Sequence, residues 1–102
     1  MPFTENNTEL IYKKKKKLKE PEDYLVILLN DNYTTMEFVV EVIIKVFNKD
    51  EAEATRIMLD VHKKGKGAVG IYTLDIASTK ARQVHALAKQ FDYPLKCIIE
   101  LA

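Results

Sequence analysis

An apolar run, Tyr24 to Leu29, meets a polar turn and a helical pattern with no linker between them. The run is too short for a typical helix and is bounded by Pro21 and Asn30, so we predict a buried strand. The turn then lies between the end of a strand and the start of a helix, and these two rigid elements hold it. Amide and carboxylate groups beside an apolar helix start suit the binding of a small charged group next to an apolar one.

The helix after the turn has a defined start and a clear apolar face. Thr34 and Glu37 have the spacing of a capping box, so we expect the Thr34 hydroxyl to cap a helix that begins at Thr35. Tyr33 is expected to pack on Phe38 as a hydrophobic staple. The apolar residues that follow the helical period, up to about Asn48, are Met36, Val39, Val40, Ile43, Val46 and Phe47.

Two further helices are predicted, over residues 51–63 and 74–91. Asp50 and Glu53 form a capping pattern at the start of the second helix, and Gly65 is placed to end it. The third helix carries an apolar stripe, whose members are Ile76, Ala77, Ala81, Val84, Leu87, Ala88 and Phe91.

Two more strands are predicted, over residues 68–72 and 95–101, with Gly70 marking a bulge or a close backbone approach. The order strand, helix, helix, strand, helix, strand predicts an α+β fold, in which a three-stranded antiparallel sheet packs against three helices on one face. We divide the chain into a lysine-rich N-terminal extension, residues 1–23, and a core domain, residues 24–102. The extension is expected to be mobile, because short blocks of like charge rarely fold.

Composition limits the possible functions. Cys97 is the single cysteine and there are two histidines far apart in sequence, so we expect no internal disulfide and no metal cluster. The sequence has no Walker or dinucleotide fingerprint, and we expect no cofactor. No apolar stretch reaches the roughly 20 residues of a membrane span, so we expect a cytoplasmic protein. The charges of residues 24–102 balance, which gives no footprint for nucleic acid, and we expect a monomer.

The chain lacks the pattern of a nucleophilic enzyme. Ser78 lies in a predicted helix without the glycines of a nucleophile elbow, and Cys97 lies in a predicted buried strand. His85 has no matching acid or thiol in the pattern and is expected on the surface, outside any site. We therefore expect a binding protein and not an enzyme.

Candidate binding residues come from the turn and from the second helix. Asn30 and Asp31 offer acceptor atoms, and His62 shares one edge of the second helix with Met58 and Val61. A neutral imidazole could accept a hydrogen bond from a ligand beside the turn. Plainer alternatives stay open, since Asn and Asp often bond their own backbone in turns and a histidine at a core margin often bonds a neighbour.

Several spaced blocks carry a resemblance to one known family. The blocks are VILLNDNYTTMEFV (residues 26–39), ATRIMLDVH (54–62), GKG (65–67), GIYT (70–73), TK (79–80) and YPLKC (93–97). In this order they strongly resemble the bacterial ClpS family, whose members are adaptors of the Clp protease. The resemblance covers residues 24–102 and agrees with the predicted order of elements.

The resemblance implies a non-enzymatic adaptor for N-degrons. Members of the family bind proteins that begin with Leu, Phe, Tyr or Trp and deliver them to an AAA+ unfoldase of the ClpA type. The residues that would contact the free α-amino group are Asn30, Asp31 and His62. Those that would line the side-chain pocket are Met36, Val39, Met58, Val61 and Leu95. Asp75 and Lys80 would touch the N-terminal domain of the unfoldase, and the lysine-rich extension would assist substrate transfer.

Two positions in the turn depart from the family pattern. Asn32 stands where the family usually has a second acid, which removes negative potential near a bound ammonium group. Thr35 stands where the family usually has Pro, which removes some rigidity at the helix start. Both departures bear on the strength of binding more than on its kind.

A second hypothesis is a ribosome- or RNA-associated binding module. It rests on the lysine tract, Lys13 to Lys17 with Lys19, and on the likeness of this small α+β arrangement to the C-terminal domain of the ribosomal stalk protein. A likeness of fold is an analogy and does not define a function.

Overall fold

The computed structural model describes residues 22–102, and the predicted α+β fold is confirmed. The elements in chain order are β1 (Asp23–Leu29), α1 (Met36–Phe47), α2 (Glu51–Lys64), β2 (Lys66–Thr73), α3 (Leu74–Gln90) and β3 (Lys96–Leu101). Their bounds differ from the predicted ones by at most two residues. The predicted mobile extension, residues 1–23, lies almost entirely outside the described residues.

β1 is the central strand of an antiparallel sheet with the strand order β2-β1-β3. Val26 pairs with Gly70, whereas Ile27 pairs with Ala68, so Val69 is an extra residue in β2. This β-bulge lies beside Gly70, where the sequence predicts a bulge or a close approach. Because of the bulge, the part of β2 near the turn and the part near α3 follow different registers along β1.

The helices cover one face of the sheet. Val26 and Leu28 of β1 are fully buried and lie in the same core cluster as the helices, as the two-residue period of a strand requires. The helix residues of this cluster that are least exposed are Val42, Ile43, Ala54, Ile57, Ala77 and Val84. One core therefore joins all three helices to the sheet.

The helix α3 packs through a stripe of small residues. The buried members of this stripe are Ala77, Ala81, Val84 and Ala88. The prediction that Ile76 and Phe91 belong to the stripe is wrong, because their side chains are 48% and 53% exposed. Ile76 lies about 100° around the helix from Ala77, and Phe91 lies just past the last residue of α3.

The start of α1 differs from the prediction. The hydroxyl of Thr35, and not that of Thr34, accepts the hydrogen bond from the Phe38 amide, at 3.1 Å, and the helix begins one residue later than predicted. The predicted capping box of Thr34 with Glu37 is therefore wrong. The reason is that the Thr34 hydroxyl donates to Asp31 Oδ2, at 2.7 Å, and is occupied within the turn.

The predicted staple between Tyr33 and Phe38 is also wrong. Tyr33 is 77% exposed. The ring of Phe38 packs instead on Tyr93 and Phe91, with centroid distances of 4.5 and 5.7 Å. Contacts with residues that follow α3 thus replace the local contact and join the first turn of α1 to the end of α3.

The ends of α2 agree with the prediction. Asp50 Oδ1 accepts a hydrogen bond from the Glu53 amide, at 2.8 Å, and so caps the start of the helix. Gly65 ends the helix with a φ of 87°, a left-handed conformation that glycine adopts at little cost.

Candidate functional site

Asp31 holds the turn after β1 in shape. Its Oδ1 atom accepts hydrogen bonds from the amides of Tyr33, at 2.8 Å, and Thr34, at 2.7 Å, while Oδ2 accepts from the Thr34 hydroxyl. Partial burial alone would raise the pKa of Asp31, but the bonds from Thr34 and Tyr33 outweigh it and lower the pKa below its ordinary value. Asp31 is therefore ionised at neutral pH, and its carboxylate organises the turn, as the plainer alternative from the sequence has it.

A backbone hydrogen bond ties this turn to the end of α2. The amide of Asn30 donates to the carbonyl of Gly65, at 2.9 Å, and the amide of Gly65 donates to the carbonyl of Val61, at 3.1 Å. His62 lies in the same last turn of α2. The bond therefore brings the polar turn and the edge of α2 together, although about 30 residues of chain separate them.

Gly67 lets β2 approach α2 closely behind this edge. A Cβ atom at Gly67 would lie 2.8 Å from Val61 Cγ2 and 3.1 Å from the carbonyl oxygen of Ile57. A side chain at this position would therefore push on Val61 or on the helix backbone. The position of Val61 depends on the absence of that side chain.

A cavity of about 500 Å³ lies between the turn, the start of α1 and the last turns of α2. The structure brings seven of the eight predicted binding residues to its wall, namely Asn30, Asp31, Met36, Val39, Met58, Val61 and His62. The eighth, Leu95, is not among the residues that line the cavity. It is 3% exposed and lies in the core cluster together with Val39 and Val61.

The wall of the cavity has a polar part and an apolar part. Asn30 and His62 are exposed on the polar part, beside the ionised Asp31. Met36, which is 45% exposed, and the half-buried Met58 form the accessible apolar part. Such a cavity can accept hydrogen bonds from a small cationic group and enclose an apolar group next to it.

Sequence reasoning missed Glu37 as a residue of this cavity. It assigned the Glu37 carboxylate to a capping box, but the side chain is exposed in the first turn of α1 and lines the cavity. Its position directly after Met36 was the available signal. Glu37 adds a second carboxylate to the cavity, and Asn32, also in the wall, adds no charge.

The second predicted surface lies at the start of α3. Asp75 is exposed in the first turn, between the side chains of Leu74 and Ile76, which are both 48% exposed. Lys80 is half-buried, and its ammonium group donates to the carbonyl of Val46, at 2.7 Å. Lys80 thus also satisfies one of the last carbonyls of α1, which have no partner within that helix.

His85 lies outside the cavity, as predicted, but it is not without a partner. It is exposed on α3, and its Nε2 atom accepts a hydrogen bond from the backbone amide of Cys97, at 3.0 Å. Cys97 is buried, and burial raises the pKa of its thiol to about 11. This thiol is therefore protonated at neutral pH, and His85 serves to attach α3 to the edge strand β3.

The described part of the chain shows no sign of a membrane span or of a metal centre. None of the helices in residues 22–102 is long and apolar enough to cross a membrane. Within the same residues, no group of three His, Cys, Asp or Glu side chains could hold a metal ion.

Comparison with known proteins agrees with this fold. The family model described as "ATP-dependent Clp protease adaptor protein ClpS" matches residues 19–98. The ClpS adapter protein of Syntrophus aciditrophicus is 58% identical over 84 residues, which cover 82% of this chain and 78% of that protein. The ClpS adapter protein of Acetivibrio thermocellus is 58% identical over 82 residues, which cover 80% of this chain and 83% of that protein.

A solved structure shows the same architecture. Agrobacterium tumefaciens ClpS2, bound to L-phenylalaninamide, matches this chain with a TM-score of 0.79 and 38% sequence identity. The match covers 81% of this chain and 100% of that chain.

Fold, cavity and similarity together define a small α+β adaptor protein. The chain belongs to the ClpS family, the adaptor proteins of the ATP-dependent Clp protease. The family predicted from the sequence is therefore confirmed. The protein is an adaptor of the protease and not the protease itself.

Proposed function

We propose that this adaptor binds the first residue of its substrate proteins in the cavity between the turn, α1 and α2. The proposal rests on one observation: a single cavity is lined by the acceptor-bearing residues Asn30 and His62 and by the apolar residues Met36 and Met58. In an N-terminal Leu, Phe, Tyr or Trp, an ammonium group and a bulky side chain are joined at one carbon atom. L-phenylalaninamide, the ligand of the A. tumefaciens relative, carries both groups.

The polar part of the cavity would hold the α-amino group. An α-ammonium group has three donors and no acceptor, and the Asn30 carbonyl and a neutral His62 imidazole offer acceptors. The Asp31 carboxylate already accepts three hydrogen bonds in the turn, so it would contribute mainly its charge. Its ionised state favours a cation in the cavity.

The apolar part would enclose the first side chain. The residues that would contact it are Met36, Val39, Met58 and Val61. Leu95 is buried in the core cluster to which Val39 and Val61 also belong. Burial of a Leu or Phe side chain contributes about 1.5–3 kcal/mol, and each charge-assisted hydrogen bond about the same. Set against an association cost of roughly 4–15 kcal/mol, these contributions are consistent with micromolar affinity, to which each group adds noticeably.

Fluorescence anisotropy with a labelled peptide that begins with Leu or Phe tests this proposal. The same peptide with an acetylated N-terminus should bind at least ten-fold more weakly, because acetylation removes the charge and donors of the ammonium group. Equal binding of the two peptides would refute the proposed function.

Variants assign the residues. His62→Ala and Asn30→Ala should each weaken binding of the unacetylated peptide by about ten-fold, which is the effect of losing one charge-assisted hydrogen bond. His85→Gln is the matched control, because it replaces a histidine outside the cavity and retains an acceptor for the Cys97 amide. An effect of His85→Gln as large as that of His62→Ala would contradict the assignment.

We also propose that the start of α3 docks on the N-terminal domain of a ClpA-type AAA+ unfoldase and so delivers the bound protein. The exposed Asp75, flanked by Leu74 and Ile76, supports this surface. Asp75→Ala should leave peptide affinity unchanged and slow degradation of a Leu-initiated reporter by the unfoldase and protease together. Undiminished degradation by this variant would show that delivery uses another surface.

The hypothesis of an RNA- or ribosome-associated module gains no support from the described residues. Its main motive, the lysine tract, lies outside them. Residues 22–102 carry the cavity described above and near-balanced charges.

A further inference from the structure

A second cavity lies on the other side of the same turn. Its volume is about 460 Å³, and it shares residues 30–33 with the first cavity. Its remaining wall consists of Leu29 at the end of β1 together with Pro94 and Lys96 at the start of β3. A peptide that leaves the first cavity across the turn therefore meets the second one directly.

The two cavities differ in charge. The first is lined by two acidic residues, Asp31 and Glu37, whereas the second is lined by the basic residue Lys96. Asp31 borders the second cavity as well, but its oxygens are turned to the Thr34 and Tyr33 donors within the turn. Asn32, which borders both cavities, is uncharged.

The register of the sheet leaves the charge of Lys96 uncompensated by its strand neighbours. Lys96 pairs with Leu29, which pairs on its other side with Lys66, so this row carries two positive charges and no negative one. Lys96 is exposed, and no carboxylate of residues 22–102 forms an ion pair with it. Its charge is thus accessible from the cavity.

We propose that the second cavity receives the residues that follow the first residue of a bound substrate, and that Lys96 makes this adaptor prefer an acidic residue there. This inference rests on the proposed binding of the first residue in the first cavity. A peptide whose N-terminal ammonium group is followed by a carboxylate has charges complementary to the two cavities. The ammonium group would face Glu37 and Asp31, and the carboxylate would face Lys96. Successive residues of an extended peptide are about 3.3 Å apart, so the second and third residues, the first to follow the residue in the first cavity, are the ones to vary.

Paired peptides test the preference. Leu-initiated peptides with Asp or Asn at position two or three are titrated by fluorescence anisotropy against the wild-type protein, Lys96→Gln and Lys96→Glu. At low ionic strength the wild-type protein should bind the Asp peptide about two- to five-fold more tightly at one of the two positions, the effect of one exposed charge pair. Lys96→Gln should bind the Asp and Asn peptides equally, and Lys96→Glu should bind the Asn peptide more tightly.

The controls separate this inference from the function on which it rests. Lys89→Gln removes the same charge from an exposed site that does not line the second cavity, and it should preserve the Asp preference. The inference is overturned if the wild-type protein binds the Asp and Asn peptides with equal affinity, or if both Lys96 variants keep the preference for the Asp peptide. If the acetylated Leu peptide still binds more weakly in that case, the proposed function stands and only the role of Lys96 fails.

Discussion

The turn between the two cavities and the exposed start of α3 are both surface regions, but they are held in place differently. In the turn, Asp31 bonds to Tyr33 and Thr34, two and three residues away. At α3, Lys80 reaches the carbonyl of Val46, 34 residues earlier in the chain. The turn largely determines its own shape, whereas the surface of α3 is part of the packing of the whole domain. Substitutions in the turn should therefore change peptide binding, whereas a substitution at the start of α3 should leave peptide affinity unchanged.

Gly67→Ala should have the largest effect, because it places a Cβ atom 2.8 Å from Val61 Cγ2, at the wall of the first cavity. We expect a loss of about 1–3 kcal/mol in the free energy of unfolding, typical of overpacking, together with weaker binding of a Leu-initiated peptide. Urea unfolding and anisotropy measure the two effects. This variant tests whether the binding site, despite its locally bonded turn, depends on packing behind it.

Gly65→Ala is the matched control for this prediction. A Cβ atom at Gly65 would meet no atom within 4 Å, but its φ of 87° is unfavourable for alanine. The expected cost is about 1 kcal/mol, without pressure on Val61. Equal losses of peptide affinity in both variants would show that the close approach at Gly67 does not set the position of the wall.

Asp31→Asn should have the next largest effect. The variant weakens three hydrogen bonds and removes a charge, so we expect a loss of about 1 kcal/mol or more in the free energy of unfolding at pH 7, and weaker peptide binding. Because folding lowers the pKa of Asp31, its carboxylate stabilises the protein above the pKa of an unfolded aspartate, about 4. This contribution is lost as the pH falls below that value and through the lower pKa of the folded state.

Urea unfolding at pH 7, 5 and 3 checks the dependence on pH. The difference in stability between the wild-type protein and Asp31→Asn should be the same at pH 7 and 5 and should shrink at pH 3. A difference that persists unchanged to pH 3 would mean that the carboxylate is not what stabilises the turn.

Lys80→Met should have a smaller effect, which lowers stability and leaves peptide affinity unchanged. It removes the hydrogen bond to the Val46 carbonyl and retains an apolar stem, so we expect a loss of about 0.5–1.5 kcal/mol. Peptide affinity should not change, since Lys80 lies outside both cavities. A marked loss of peptide affinity would contradict the separation between the two regions.

Asn32→Asp should have the smallest effect and act on binding alone. A second carboxylate in the turn adds negative potential near the proposed ammonium site, and we expect about two- to three-fold tighter binding at low salt. The gain should disappear in high salt, where the exposed charge is screened. Anisotropy titrations at two ionic strengths measure it, and an equal gain at both would point to a change of shape in the turn.

Local patterns predicted the parts of this fold that local bonds hold. The cap of α2 by Asp50 and its end at Gly65 were readable from the sequence, since the bonded groups lie three or four residues apart. The start of α1 was misplaced because Thr34 and Thr35 are both suitable caps. The choice between them depends on the bond from Thr34 to Asp31.

Contacts between distant segments were not readable in the same way. Phe38 packs on Tyr93, more than 50 residues away, and His85 bonds to the amide of Cys97 across two elements. Leu95, placed at the cavity by resemblance alone, is buried in the core cluster and does not line that cavity. No periodicity distinguishes a residue at a cavity wall from one buried elsewhere in the core.

The sequence by itself determined the order of the elements and the position of the turn at the end of β1, because hydrophobic periods and turn residues act over a few positions. It also determined the family, through spaced blocks of matching residues. Local patterns did not decide which groups share a cavity: the resemblance placed eight residues there, and the tertiary structure brings seven of them to one wall. The bond from Asn30 to Gly65 brings α2 to the turn, and the pairing of β3 with β1 brings Lys96 to its other side. Both depend on packing between segments that are far apart in the chain.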